Sequence, residues 1–132
     1  TDGLWRSTCF EAFVRAPGAD AYVELNFAPS GRWAAYAFDG WRAGMRPLDF
    51  ADEAAPVVSA LRSGEAERTL VARVDLSAAP GLAGAPWSAA ITAVLDDGAG
   101  GISYWALAHA PGKPDFHRPE GFVLDLPPPP ET

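Results

Sequence analysis

Residues 21–41, AYVELNFAPSGRWAAYAFDGW, combine aromatic rings with side chains that form strong hydrogen bonds. Glu24, Asn26 and Arg32 lie among the rings. Aromatic rings stack on the C–H faces of sugars, and fixed amide or charged groups bind hydroxyl groups. The combination indicates a face that binds a small polar ligand. The alternative is that these rings simply fill the core or a dimer interface.

The other reactive side chains do not form a recognisable catalytic pattern. Cys9 is the only cysteine, so no intrachain disulfide can form, and a lone cysteine within a strand is typical of a buried thiol. The sequence contains neither a GxSxG motif nor a glycine-rich phosphate loop. No acid pair has a readable spacing for glycoside hydrolysis. The sequence therefore predicts a protein that is not an enzyme.

Metal binding is a weaker reading of two other groups. Asp115 and His117 are two residues apart, and with His109 they would form a minimal ligand set, but a structural loop in which His117 bonds to the backbone is the better explanation. Five acidic residues in predicted loops match no EF-hand spacing: Asp49, Asp52, Glu53, Asp96 and Asp97. We therefore expect no metal site, with a structural calcium ion as the alternative.

Composition limits the class of protein. A chain of 132 residues with 48 % hydrophobic residues suits one domain with its own core. The net charge is −7 and no basic cluster exceeds a pair, which argues against a nucleic-acid surface. No apolar run approaches the roughly 18 residues of a membrane span. The single cysteine and the lack of a secretory signal predict a cytoplasmic location, although a leader could precede Thr1.

Short alternating segments between glycine and proline turns predict an all-β fold, an antiparallel β-sandwich of the jelly-roll or immunoglobulin-like kind with few or no helices. The predicted strands cover residues 7–15, 21–28, 32–38, 56–62, 69–76, 87–95, 102–108 and 122–126. A short helix over 52–62 competes with the fourth strand, and residues 40–55 are predicted to be irregular.

The hairpin formed by the second and third strands has a predictable register. A three-residue loop, Pro29 to Gly31, would pair residue 28 with residue 32, whereas a four-residue loop would turn the second strand over. With the shorter loop, the core face carries Val23, Leu25, Phe27, Trp33, Ala35 and Ala37. The opposite face then carries Tyr22, Glu24, Asn26, Arg32, Ala34, Tyr36 and Phe38.

Three blocks of the sequence also resemble a known family. They are LWRSTCFEAF, YVELNFAPSGRWAAYAFDGWR and ISYWALAHAPGKPDFHRPEGFVLDL. They are similar to the "W…D-x-x-E" strand, the "Y-x-F-x-x-x-P-x-G" hairpin and the "F-H-x-P" loop of the DOMON-like group of bacterial proteins, which is related to family 9 carbohydrate-binding modules. The resemblance implies one jelly-roll domain over residues 1–126, followed by a proline-rich tail over 127–132.

The resemblance implies a non-catalytic protein that clamps a sugar or glycoconjugate between aromatic rings. Trp5 matches the first aromatic residue, Glu11 the strand acid and Arg32 the basic residue after the hairpin turn. Tyr104, Trp105 and Phe116 compete for the second aromatic position. Tyr36 and His117 complete the predicted ligand-binding site. Family members usually carry β-structure upstream, so an upstream segment or a second copy in a homodimer is expected to complete the sandwich.

Two alternatives to sugar binding remain open from the sequence. Relatives of the DOMON group include haem-binding cytochrome modules, which commonly use methionine and histidine as axial ligands. Here Met45 would pair with His109 or His117, and the haem would be non-covalent because no CxxCH motif is present. The other alternative is a protein-interaction domain without a small ligand.

Overall fold

The computed structural model describes residues 8–50, 55–63, 67–76, 79, 82, 86–96, 98–106 and 115–126. Within these ranges the fold is all-β, as predicted, and the only helix is the 3₁₀ turn Pro119–Gly121. The strands are β1 Cys9–Arg15, β2 Tyr22–Phe27, β3 Trp33–Phe38, β4 Arg46–Pro47, β5 Val57–Ser63, β6 Glu67–Arg73, β7 Trp87–Asp96, β8 Ile102–Ala106 and β9 Leu124–Leu126. None of the helical structure in these ranges is long and apolar enough to cross a membrane.

The strands form two antiparallel sheets that pack face to face. The larger sheet has seven strands in the order β4-β3-β2-β1-β7-β8, with β9 also paired to β7, and β5 and β6 form a separate hairpin. One face of the large sheet carries an apolar cluster that includes Val23, Leu25 and Phe27. Leu76 belongs to the same cluster, and apolar residues of β5, of β6 and of the segment after β6 pack against it: Val58, Leu70, Ala72 and Val74. This cluster is the main core of the sandwich.

The predicted register of the β2–β3 hairpin is confirmed. The N–H of Ala28 donates to the carbonyl of Arg32 at 2.9 Å, so Pro29 to Gly31 form the three-residue loop. Gly31 has a φ of 91°, in the left-handed region that glycine adopts without strain. Glu24 consequently lies opposite Tyr36 on the face away from the main core.

Two other expectations are corrected. The competing helix over 52–62 is wrong for residues 57–62, which lie in β5 and pair with β6; residues 52–54 lie outside the described ranges. Residues 40–55 are not wholly irregular, because β4 pairs with β3 through Tyr36 and Pro47. A two-residue strand that contains proline has no alternation to reveal it, and it lies at the sheet edge where proline is tolerated.

The edge of the large sheet is interrupted beside β7. Ala106 of β8 lies opposite Thr92, and Leu124 of β9 lies opposite Ala89, so two residues would suffice to join β8 and β9 into one strand. The chain has residues 107–123 there instead. The described part of this excursion packs against the second face of the sheet, where Phe116 and Phe122 contact its buried cluster. The described residues between β8 and β9 therefore cover part of a sheet face that a continuous strand would leave exposed.

Candidate functional site

The second face of the large sheet carries buried polar side chains as well as aromatic rings. Glu11 on β1 lies opposite Asn26 on β2, and Glu24 is two residues further along the same face. Such diagonal neighbours have Cβ atoms within about 7–8 Å of each other. Each glutamate is only 5 % exposed. On the other side of β1, the Thr92 hydroxyl donates to Glu11 Oε2 at 3.2 Å.

These acids line a cleft of about 360 Å³. Its lining residues are Glu11, Glu24, Phe38, Arg42, Met45, Val94, Tyr104, Phe116 and His117. Tyr104 and Met45 are about half exposed, whereas the two glutamates are buried. The cleft therefore has an open end with an aromatic ring and a closed end with carboxyl groups.

His117 separates the buried acids from the neighbouring aromatic cluster. Its ring makes edge contacts with Phe13 and Phe38, at centroid distances of 5.0 and 5.1 Å. Nδ1 lies 2.7 Å from the Tyr22 hydroxyl, which accepts the backbone N–H of Arg42 at 3.1 Å. We assign the Tyr22 proton to a bond with Nδ1, because the hydroxyl oxygen already accepts from Arg42. Nε2 then carries the imidazole proton, 3.8 Å from Oε1 of Glu24.

Residues 115–122 pack over the second face of the sheet and are called the covering segment below. Asp115 connects this segment to the turn at Trp41 and Arg42. Its carboxylate accepts hydrogen bonds from the Arg42 guanidinium at 3.0 Å, the Trp41 indole at 3.2 Å and the His117 backbone N–H at 3.1 Å. Burial alone would raise the pKa of Asp115, but the hydrogen bond from Arg42 and that from His117 outweigh it and hold the pKa below its usual value. Arg42 has a φ of 52°, which is unusual for a side chain other than glycine. These contacts hold that conformation in place.

Burial changes the protonation of the groups at the closed end. It raises the pKa of Glu24 to about 8, with a further contribution from Glu11, and raises the pKa of Glu11 to about 7. Burial, assisted by Arg42, lowers the pKa of His117 to about 4. At neutral pH the Glu24 carboxyl is therefore protonated and the imidazole is neutral. The 3.8 Å contact between them is not an ion pair under these conditions.

Asn26 is completely buried between the two acids. Its amide lies close enough to Glu24 to lower the pKa of that carboxyl, but neither Nδ2 nor Oδ1 reaches hydrogen-bonding geometry with a described group. A hydrogen bond depends on direction as well as proximity, so closeness to Glu24 alone does not satisfy the amide. An unsatisfied buried amide costs about 1–3 kcal/mol. Such a cost is common where side chains are arranged for a ligand rather than for stability.

Comparisons with known proteins add nothing to this geometry. The chain matches no protein-family model, no curated protein and no solved structure. The resemblance to the DOMON-like group stays a prediction, and the function has to be inferred from the cleft.

The structure brings together part of the predicted site. Glu11, Tyr104, Phe116 and His117 line the cleft, as does Met45 from the haem alternative. Trp5 and His109 lie outside the described residues.

Three predicted site residues do not line the cleft. Arg32 is exposed at the end of the β2–β3 hairpin. Trp105 is 59 % exposed and follows Tyr104 on β8, so it lies on the opposite face of the sheet. Tyr36 is buried beside Glu24 on the cleft side, within the aromatic cluster.

Sequence reasoning missed several contributors to the cleft. Phe38, Arg42 and Val94, which line it, and Thr92, which bonds to Glu11, were not selected. Thr92 and Val94 alternate along β7 on the same face of the sheet as Glu11. That alternation could have identified them once β7 was paired with β1. Among the residues that the structure describes, no group of three or more histidine, cysteine or acidic residues could hold a metal ion. Cys9 is buried, as predicted, and burial with the nearby Glu11 raises its pKa to about 12.

Tyr22→Phe should lower the free energy of unfolding by about 1–3 kcal/mol. The substitution keeps the ring but removes the hydroxyl that bonds to His117 Nδ1 and to the Arg42 N–H, so both groups lose their partner. Urea denaturation measures the loss. Tyr104→Phe is the matched control, because that ring is 49 % exposed and its change should stay within about 0.5 kcal/mol. Equal effects of the two variants would contradict the assigned bonds.

Proposed function

We propose that this protein is a non-catalytic binding domain whose cleft holds a small sugar or glycoconjugate. The proposal rests on the difference between the two ends of the cleft: aromatic rings lie at the open end, and buried hydrogen-bonding side chains lie at the closed end. Its volume of about 360 Å³ lies in the range of small-molecule sites, which are also built from apolar walls and a few fixed polar groups.

The walls suit the two kinds of surface that a sugar presents. The rings of Tyr104 and Phe116 make an edge-to-face contact, with centroids 6.1 Å apart and planes inclined by 62°. Ring faces of this kind can contact the C–H surface of a pyranose. At the closed end, a protonated Glu24 can both donate and accept hydrogen bonds, which matches the capacity of a hydroxyl group.

The same groups are poorly arranged for hydrolysis. A glycosidase needs one carboxyl that is ionised and one that is protonated, so the environment must push their pKa values in opposite directions. Here burial raises the pKa of both Glu11 and Glu24. The Cys9 thiol is buried and keeps its proton, so it is not a nucleophile. Binding without chemistry is therefore the better account.

The haem alternative that pairs Met45 with His117 fits the cleft poorly, and the pairing with His109 lies outside the described residues. Met45 and His117 both line the cleft, which is the observation in favour of haem. However, Nδ1 of His117 bonds to Tyr22, and Glu24 Oε1 lies 3.8 Å from Nε2, the nitrogen left for iron. A haem whose iron bonded to Nε2 would have to displace the Glu24 carboxyl.

Tyr104→Ala should weaken sugar binding roughly two- to tenfold, the effect of losing one aromatic contact of about 0.5–1.5 kcal/mol. A panel of monosaccharides and disaccharides is first titrated into the wild-type protein, with tryptophan fluorescence and calorimetry as readouts. The sugar that binds most tightly is then titrated into Tyr104→Ala and into an alanine variant of Trp105, the next residue on β8.

Trp105→Ala is the matched control, because Trp105 is exposed on the other face of the same strand. Its affinity should equal that of the wild type. A loss confined to Trp105→Ala would place the ligand on the other face and contradict the proposed site. The absence of saturable binding by any sugar in the panel would contradict the proposed function.

A further inference from the structure

Among the residues that the structure describes, the two buried acids of the cleft have no lysine or arginine as a counter-ion. Glu11 accepts a hydrogen bond from Thr92, and Nε2 of His117 lies 3.8 Å from Oε1 of Glu24. His117 is neutral at pH 7, so it does not supply a positive charge. In the described part of the chain, neither carboxyl forms an ion pair with lysine or arginine. Burying carboxyl groups without a cation is costly, and proteins rarely do so without a use for them.

Arg42 is the basic residue of the cleft wall, but it is already occupied. Its guanidinium bonds to Asp115 at 3.0 Å and is about half exposed. It lowers the pKa of Glu24 only as a nearby charge, and that effect is smaller than the opposing effect of burial. At the closed end of the cleft, negative charge can therefore develop on Glu11 and Glu24 without a lysine or arginine in direct contact among the described residues.

Asn26 supplies an independent observation in the same place. It is fully buried on the cleft face between Glu11 and Glu24, and its amide has no hydrogen-bond partner in the described structure. Its carbonyl oxygen can accept from a ligand N–H, and its NH₂ group can hold a Glu24 carboxylate once that group loses its proton. A small shift of the side chain would therefore complete a set of acceptors.

We propose that the ligand of this cleft carries a protonated amine, so that the site selects an amino sugar or a related cationic polyol over its neutral counterpart. This inference rests on the proposed function of the cleft. The ammonium group would sit between the Glu11 and Glu24 carboxylates and form charge-assisted hydrogen bonds with them. The aromatic wall formed by Tyr104 and Phe116 adds a favourable surface for a cation.

Binding of the cation should release protons. The titratable and charged groups that face or border the two acids are Cys9, Tyr22, Arg42, Tyr104, Asp115 and His117. Of these, His117 is already neutral, the Cys9 thiol is protonated and the pKa of Tyr22 is raised by burial. None of these three groups should therefore release a proton when the cation binds at pH 6.5. At pH 6.5 Glu24 is protonated before the ligand arrives. Glu11, whose pKa is raised by burial to about 7, is also mostly protonated at this pH. An ammonium ion between the two groups favours both carboxylates, so between one and two protons should leave per ligand bound.

The test compares sugars that differ only at nitrogen. Glucose and galactose, their 2-amino derivatives and their N-acetylated derivatives are titrated into the wild-type protein at pH 6.5, by calorimetry in two buffers of different ionisation enthalpy. We expect an amino sugar to bind at least tenfold more tightly than both neutral counterparts, with release of between one and two protons. Glu24→Gln should remove this preference, and Glu11→Gln should reduce it.

Glu120→Gln is the matched control, since Glu120 is exposed on the 3₁₀ turn and does not line the cleft; it should keep the preference. Neutral sugars that bind as tightly as amino sugars would overturn this inference and leave the proposed function standing. If no sugar binds, ethanolamine and choline are titrated. Their saturable, Glu24-dependent binding would support the cationic site and contradict the sugar. No binding of sugar or amine would overturn both.

Discussion

Raising the pH from 6.5 to 8 is expected to destabilise the protein by on the order of 2 kcal/mol. Burial raises the pKa of Glu11 to about 7 and that of Glu24 to about 8, from about 4.5 in the unfolded chain. The folded protein thus holds protons that the unfolded chain has already lost. The resulting stabilisation is complete below about pH 4.5 and disappears as the pH rises through 7 and 8.

His117 has the opposite effect in a lower window. Burial lowers its pKa from 6.5 to about 4, so its contribution increases as the pH rises between these values and offsets part of the carboxyl effect there. Above pH 6.5 only the two glutamates contribute among these three groups. This is why the decline should be clearest between pH 6.5 and 8.

Urea denaturation at half-unit intervals of pH measures this slope. Glu24→Gln removes the titrating proton while keeping the shape and the hydrogen-bonding groups of the side chain, so its stability should fall much less over the same interval. Glu120→Gln, an exposed change of the same kind, should keep the wild-type slope. A wild-type protein whose stability is constant or rises from pH 6.5 to 8 would show that the two carboxyls are ionised in the folded state.

Phe13→Ala should cost about 3–5 kcal/mol in the free energy of unfolding. Phe13 has no exposed surface, and its ring contacts those of Tyr22, His117 and Phe122, with the His117 centroid at 5.0 Å. It therefore anchors the covering segment to the sheet as well as filling space. Because the cavity would open beside His117, sugar binding by the folded fraction should weaken as well.

Chemical denaturation measures the stability of Phe13→Ala, and two variants control for it. Phe13→Leu restores most of the volume and should lose less than half as much stability as the alanine variant. Ile102→Ala removes a side chain that is 46 % exposed at the end of β8 and should cost well under 1 kcal/mol. A loss for Phe13→Ala as small as that for Ile102→Ala would mean that the covering segment is held by other contacts.

Local features of the sequence were sufficient for the hairpin that carries Glu24. The loop length from Pro29 to Gly31 fixed the register, and alternation then separated Val23 and Leu25 from Glu24 and Asn26. Both kinds of information lie within one short stretch of chain. No distant pairing had to be known to predict which residues share a face.

The closed end of the cleft could not be predicted in this way. Glu11 and Glu24 become neighbours only because β1 pairs with β2, and Thr92 reaches Glu11 only because β7 lies on the other side of β1. The β1–β7 pairing joins residues as far apart as Glu11 and Thr92, which are 81 positions apart in the sequence, and alternation alone specifies neither pairing. The polar face was predicted to meet a ligand, but the burial of Glu24 and Asn26 was not predicted; it arises because residues 115–122 pack over this face.

The sequence alone also could not decide which aromatic residue near β8 lines the cleft. The sequence left Tyr104, Trp105 and Phe116 as competitors for one role. The pairing of β8 with β7 places Tyr104 opposite Val94 on the cleft side and Trp105 opposite Ala93 on the other side. Phe116 reaches Tyr104 because the chain leaves the sheet edge between β8 and β9 and returns over the face.

A nuclear magnetic resonance titration of the ¹⁵N-labelled protein with the sugar panel shows whether this cleft holds a sugar. We expect saturable shifts of the signals of Glu11, Glu24, Tyr104, Phe116 and His117, while those of Arg32 and other distant residues stay in place. Shifts concentrated around Trp105 and Ile91 would move the ligand to the other face. No saturable shift with any neutral or amino sugar would contradict the sugar-binding function itself.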